Sequence, residues 1–169
     1  MNAAAPDTAA LRGAYRALLD AAVTVAAADH PDPVPPAGEW NAEQILAHVS
    51  LVSAVTLAAV SAVAAGVNTT YDNRIAQDAW TIERTIRLAG GAAGLRDRIR
   101  LQADALCTLG GPALSEAELD TPVPTRLLSH DAVQVDQPLP LRALVTGLAN
   151  AELPGHTAQL LALLPVTAG

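Results

Sequence analysis

An uncharged stretch of 23 residues, from 45 to 67, is the feature that most constrains how this chain of 169 residues can fold. As a helix, it is long enough to cross a lipid bilayer. However, it consists mostly of Ala, Val and Ser, which contribute little insertion energy, and it contains His48, which is costly in a lone span. We therefore expect the central helix of a soluble bundle, buried on nearly all sides, and no membrane partner.

Composition and charge narrow the class of protein further. Hydrophobic residues make up 51% of the chain and charged residues 16%, which excludes a disordered tail and indicates one domain with a sizeable core. The net charge of -7 argues against a nucleic-acid partner. The single cysteine, Cys107, excludes an internal disulfide and is expected to be a small core residue. With no basic residue in positions 1–10 to mark a secretory signal, we expect a cytoplasmic protein.

Apolar spacing and helix breakers predict helices along most of the chain. Asp7 and Asn41 are the expected N-caps of the first two helices, and a proline-rich crossover over residues 30–36 separates them. A polar loop is expected over residues 68–73. The predicted helices cover residues 7–28, 41–66, 73–89, 92–109 and 139–164.

Residues 119–140 have a different pattern, because four prolines separate short apolar runs. The runs 125–128 and 132–135 flank Ser129-His130-Asp131, which fits a small hairpin or an extended irregular loop. Pro154-Gly155 then interrupts the last helix, so this helix is kinked or a new one starts near Leu153. The predicted fold class is all-α: residues 1–169 form a single domain, a bundle of four main helices with one extra helix and a short β-like insertion before the last helix.

Three of the four histidines are candidates for chemistry, whereas His30 is expected to be solvated in the crossover. His48 lies in the most apolar helix, where an imidazole needs a partner. Glu152 precedes His156 by four residues, so both share one face of a continuous helix. The ordinary interpretation of this pair is an ion pair or a hydrogen-bonded core histidine. The alternative is a divalent metal held by two imidazoles and a carboxylate.

The segment GEWNAEQILAH, residues 38–48, resembles the start of the metal-binding helix in DinB-like proteins. More narrowly, it is similar to the N-terminal domain of the mycothiol-dependent maleylpyruvate isomerase family, in which a Gly-x-Trp segment introduces a helix whose Leu-Ala-His ends in a zinc ligand. Residues 66–83 are also similar to that family. The resemblance implies a DinB-like four-helix bundle and a zinc site formed by His48, Glu152 and His156.

Two departures from the family pattern shape the expectation. Pro154-Gly155 lies between the two implied ligands of the last helix, and if Glu152 pointed elsewhere, a water or His130 would complete the site. The second domain that accompanies the isomerase is not in this sequence, so maleylpyruvate isomerisation is not expected.

An open zinc site activates a thiol or a water. The resemblance implies a low-molecular-weight thiol such as mycothiol as co-substrate, acting on an electrophile. In this scheme Arg74 holds an anionic part of a ligand, unless it is a plain surface arginine, and Gln159 orients a ligand imidazole or a bound water. The leading hypothesis is a zinc-dependent thiol S-transferase-like enzyme. The alternatives are a metal-dependent hydrolase on the same residues and a non-catalytic binding or stress protein. A homodimer is compatible with the Ala-rich helices, although no heptad run specifies one.

Overall fold

α-Helices and one small sheet make up the part of the chain that the computed structural model describes, residues 8–28 and 35–165. The expected cap Asp7, residue His30 and most of the proline-rich crossover lie outside the described residues. The helices are α1 (Thr8–Ala26), α2 (Ala42–Ala64), α3 (Ala79–Ala89), α4 (Ala92–Leu109), α5 (Glu116–Leu119), α6 (Leu141–Gly147) and α7 (Leu153–Leu161). The strands are β1 (Tyr71–Asp72), β2 (Pro122–Ser129) and β3 (Ala132–Pro140), in the order β1-β2-β3. The predicted, mostly helical class is confirmed.

Helix α2 occupies the centre of the fold. The side chain of its N-cap Asn41 accepts a hydrogen bond from the backbone amide of Gln44 at 2.9 Å. The Gln44 side chain in turn accepts one from the backbone amide of Asn41 at 3.0 Å. Two backbone amides that have no partner within the helix are satisfied in this way. Both α1 and α2 pack against α4 and α7, which makes a four-helix core. By length and composition α2 alone among the described helices is apolar enough to cross a membrane, but 67% of its most apolar window is buried within the fold. Its packing is that of the core helix of a soluble protein, as predicted.

Two buried tyrosines contact the hydroxyl groups of Ser53 and Thr56 in α2. Ser53 lies 2.7 Å from the hydroxyl of Tyr15 on α1. Thr56 donates to the carbonyl oxygen of Val52 at 2.9 Å and so accepts from the hydroxyl of Tyr71, at 3.1 Å. Burial raises the pKa of Tyr15 well above its ordinary value, and that of Tyr71 to about 12. Both phenols therefore stay protonated, and their hydrogen bonds connect α1 and β1 to α2.

The segment between α2 and α3 differs from the prediction. Residues 68–73 were expected to form a loop, but Tyr71 and Asp72 form β1, which pairs in parallel with β2. The next helix was expected from residue 73, yet Arg74–Ala76 form a 3-10 turn and α3 starts at Ala79, capped by the Asp78 side chain. The prediction failed here because the pairing partner β2 lies about fifty residues further along the chain, and no local sequence pattern indicates such a pairing.

Of the two alternatives for this segment, a hairpin or an irregular loop, the structure has the hairpin, and its strands are longer than the apolar runs suggested. β2 and β3 are antiparallel, with Pro122 opposite Pro140 and Pro124 opposite Pro138. Two facing prolines have no amide hydrogens to exchange, so they occupy positions of the ladder without mutual hydrogen bonds. Because β3 continues to Pro140, the last helical region begins at Leu141 and not at residue 139.

The last helical region restarts at Leu153, one of the two forms predicted for it. A π-helical turn over Leu148–Glu152 joins α6 to α7, and the Leu153 amide donates to the carbonyl oxygen of Leu148. Pro154 then falls in the first turn of α7. A missing amide hydrogen costs least at this position, so the chain continues as helix through the proline.

The turn between α3 and α4 depends on the absence of a side chain at Gly94. A Cβ there would lie 1.7 Å from the carbonyl oxygen of Ala89. We expect Gly94→Ala to lower the free energy of unfolding by about 2–3 kcal/mol, because the backbone must shift to relieve the clash. Urea denaturation measures this change.

The matched control is Gly13→Ala in α1, where a new Cβ meets nothing within 4 Å. This variant is expected to gain about 0.5–1 kcal/mol from its better helix propensity. Equal effects of the two substitutions would contradict the close approach at Gly94.

Candidate metal centre

Three side chains that are far apart in sequence meet at one point between α2 and the last helical region. His48 lies in the second turn of α2 and is 3% exposed, Glu152 ends the π-helical turn, and His156 lies in α7. The Oε1 atom of Glu152 is 3.1 Å from Nε2 of His48 and 3.3 Å from Nε2 of His156. One ligand atom from each residue lies within 4.8 Å of the others, so this group could hold a metal ion.

An oxygen acceptor lies beside the Nδ1 atom of each imidazole, the nitrogen that does not face Glu152. The Nδ1 atom of His48 lies 2.7 Å from the carbonyl oxygen of Ala76, and the Nδ1 atom of His156 lies 2.9 Å from Oε1 of Gln159. Since these oxygens only accept, each Nδ1 carries the proton and donates it. In the neutral rings, both Nε2 lone pairs then point at the same carboxylate oxygen. Three electron-rich atoms converge, an arrangement that a divalent cation stabilises and that fits a zinc ligand set.

The charge of Glu152 follows from the same geometry. Its Oε1 atom lies within hydrogen-bond distance of Nε2 of both imidazoles. Hydrogen bonds to His156 and then to His48 outweigh the burial of the carboxyl and hold the pKa of Glu152 well below its ordinary value. Glu152 is therefore ionised at neutral pH.

Trp40 covers the imidazoles on one side. Its ring centroid lies 4.8 Å from that of His48 and 6.5 Å from that of His156, and the two imidazole centroids are 4.6 Å apart. The indole is half-buried and packs against the hydrophobic core. This contact restricts the rotation of both rings.

A cavity of about 690 Å³ opens onto the three side chains. One wall is formed by residues 38–40 before α2, and another by residues 128–131 at the tip of the β2–β3 hairpin. Gln77 and Gln159 contribute amide groups to the lining. The volume lies in the range of small-molecule sites, so a ligand has room to reach the point where the three side chains meet.

The other residues considered from the sequence lie in different places. His130 lines the cavity from the hairpin tip, with its Nδ1 3.0 Å from the hydroxyl of Ser129. Arg74 is exposed and outside this lining, and its guanidinium donates to the carboxylate of Asp72, which lowers the pKa of Asp72. Cys107 is buried in the core, and burial raises the pKa of its thiol.

Sequence reasoning missed the residues that hold the hairpin beside the site. The buried side chain of Asn73 donates to the carbonyl oxygen of Leu128 at 2.9 Å and accepts from its amide at 2.8 Å. The Gln77 amide donates to the same carbonyl oxygen. With Ala76 bonded to His48, the segment from 73 to 77 connects the hairpin to the metal-site helix. Nothing in the sequence pattern singles these residues out, because all their partners are distant in the chain.

No protein-family model matches this sequence, and no curated protein or solved structure matches it either.

The anchoring role of Asn73 yields a stability prediction. Asn73→Ala leaves the amide and carbonyl of Leu128 without this side-chain partner, so we expect the free energy of unfolding to fall by about 1–3 kcal/mol in urea titrations. Asn68→Ala is the control, since Asn68 is exposed in the same connection. A loss no larger for Asn73→Ala than for Asn68→Ala would show that the hairpin does not need this anchor.

Proposed function

We propose that this protein is a zinc-dependent thiol S-transferase-like enzyme with a DinB-like bundle, and that His48, Glu152 and His156 hold the metal. The observation that carries the proposal is the convergence of two Nε2 atoms on Oε1 of Glu152, at the end of a cavity. Two histidines and one carboxylate are the ligand set of several catalytic zinc sites, which keep a further position open.

The ligand set supports an electrophilic, open metal site. Two neutral imidazoles and one carboxylate offset only half of the charge of a divalent ion. When bound, zinc supplies one kind of chemistry, because it lowers the pKa of a coordinated thiol or water. The surrounding cavity gives such a ligand access to the site.

The protein's own residues orient the ligand atoms. The Ala76 carbonyl and the Gln159 side chain accept the Nδ1 protons, so both imidazoles present Nε2 to the site. Trp40 packs on both rings and limits their motion. Glu152 remains ionised and brings the balancing negative charge.

A thiol is favoured over water as the activated group by the sequence resemblance. Residues 38–48 resemble a family that uses mycothiol, which implies a low-molecular-weight thiol as co-substrate. The cavity of about 690 Å³ has room for a small organic ligand beside the three side chains. The second substrate in this proposal is an electrophile that accepts the thiol sulfur.

The metal content of the purified protein is the first test. After purification without added metal, elemental analysis is expected to find about one zinc per chain. His48→Ala and Glu152→Gln are expected to lose most of it, because each removes one ligand atom. His130→Asn is the control, since it alters the cavity lining but leaves the ligand atoms in place. Unchanged metal content in His48→Ala would disprove the site, and a metal-free wild type that takes up no added zinc would indicate a non-catalytic bundle.

Thiol dependence is the second part of this test. The metal-loaded protein is mixed with a thiol and a chlorodinitrobenzene electrophile, and thioether formation is followed by absorbance. We expect a rate that requires both the thiol and the metal and that a chelator abolishes. Hydrolysis of a nitrophenyl ester without thioether formation would assign the site to a metal-dependent hydrolase instead.

The hydrogen bond between Gln159 and His156 predicts a partial loss of zinc affinity when it is removed. Gln159→Ala removes the acceptor behind His156, so we expect zinc affinity to fall by about 10- to 100-fold while the stoichiometry at saturation stays the same. Competition with a chromophoric chelator measures the affinity. Gln134→Ala, an exposed change on β3, is the control. Equal affinities for both variants would show that Gln159 does not support the ligand imidazole.

A further inference from the structure

We propose that the cavity above the metal centre selects a thiol that carries a positively charged group over one that carries a negative group. This inference rests on the proposed function and adds the charge preference of the same cavity. The cavity lining is the observation behind it. Apart from Glu152, its carboxylates are Glu39 and Asp131, and its remaining titratable groups are the imidazoles of His48, His130 and His156. None of the described residues that line the cavity is an arginine, and the chain contains no lysine.

Because the charges at the metal would balance, the carboxylates of Glu39 and Asp131 would determine which ligand charge the cavity favours. A divalent ion held by these residues, the Glu152 carboxylate and a thiolate ligand would together carry no net charge. The remainder of the ligand therefore experiences mainly Glu39 and Asp131, which attract an ammonium group and repel a carboxylate. The face of Trp40, which also lines the cavity, adds a surface that favours a cation.

The two carboxylates come from independent parts of the fold. Glu39 precedes α2 in the segment that carries Trp40, whereas Asp131 lies at the hairpin tip. The bonds from Asn73 and Gln77 to Leu128 hold that tip beside the site. The cavity therefore has an acidic residue on two of its walls.

His130 and Asp131 form the turn at the hairpin tip, and both have left-handed backbone conformations, with φ of 49° and 61°. His and Asp are among the non-glycine residues that adopt such angles most often, so this turn fixes their position without unusual strain. Both residues line the cavity.

The test compares three thiols of similar size on the full chain loaded with Co²⁺, whose charge-transfer absorption reports thiolate binding. Cysteamine carries an ammonium group, 2-mercaptoethanol is neutral and mercaptoacetate carries a carboxylate. We expect affinity to fall in that order. Because the three thiols also differ in their own acidity, the decisive quantity is the ratio of cysteamine to mercaptoacetate affinity, compared between variants.

Two variants remove one cavity charge each, and a third is their matched control. Asp131→Asn keeps a residue that tolerates positive φ, and Glu39→Gln keeps the side-chain size. Each is expected to lower the affinity ratio about three- to tenfold. Asp136→Asn removes an equal charge from an exposed position of β3 outside the lining and is expected to leave the ratio unchanged. Ratios in Asp131→Asn and Glu39→Gln that equal the ratio in Asp136→Asn would overturn the inference.

A thiol-free measurement separates this inference from the proposed function. Propylamine and propionate are titrated into the protein in a Trp80→Phe background, so that Trp40 provides the tryptophan fluorescence. We expect propylamine to bind more tightly than propionate, with a smaller difference in Asp131→Asn. If no thiol binds the metal-loaded protein while this preference persists, the thiol chemistry is wrong and the charge selection holds. Equal binding of the two probes would overturn the charge selection.

Discussion

The contacts of two imidazole nitrogens with one carboxylate oxygen constrain how the surrounding segments pack. His48 is almost completely buried in the most apolar helix, so both of its nitrogens need partners. Ala76 supplies one from the 3-10 turn, and Glu152 supplies the other from the last helical region. Because a buried polar group without a partner is costly, these contacts restrict how the three segments can be placed against each other.

The π-helical turn of Leu148–Glu152 and Pro154 belong to the same arrangement. A proline inside a regular helix removes a hydrogen bond, yet here it falls in the first turn of a restarted helix. Glu152 and His156 span this restart and still share one face, with 3.3 Å between Oε1 and Nε2. Irregular helical turns of this type are frequent at functional sites, where they redirect a side chain without ending the helix.

The small sheet connects this centre to its cavity. β1 pairs with β2, and Asn73, next to β1, binds the β2 backbone at Leu128. Three residues later, Ala76 binds His48. One short segment thus holds both α2, through His48, and the hairpin whose tip lines the cavity. A change in that segment is therefore expected to alter both the candidate metal site and the cavity.

Local signals in the chain were enough to predict α2 with its Asn41 cap and α4 between its glycine boundaries. They left two alternatives each for the hairpin and for the helix near Leu153, and the structure selects one of them in each case. Each of these is encoded within a few residues by capping groups, apolar periodicity or proline and glycine positions. The candidate ligands His48, Glu152 and His156 came from a short motif and a four-residue spacing, and their convergence appears only in the fold.

β1, the 3-10 turn, the two oxygen acceptors behind the imidazoles and the cavity all arise from contacts between segments that lie far apart in the chain. The carbonyl of Ala76 illustrates why: every residue has such a group, so no sequence pattern can show which one will meet an imidazole 28 positions away. Periodicity and capping specify what a segment becomes, whereas the partners of its polar groups are selected when the helices pack.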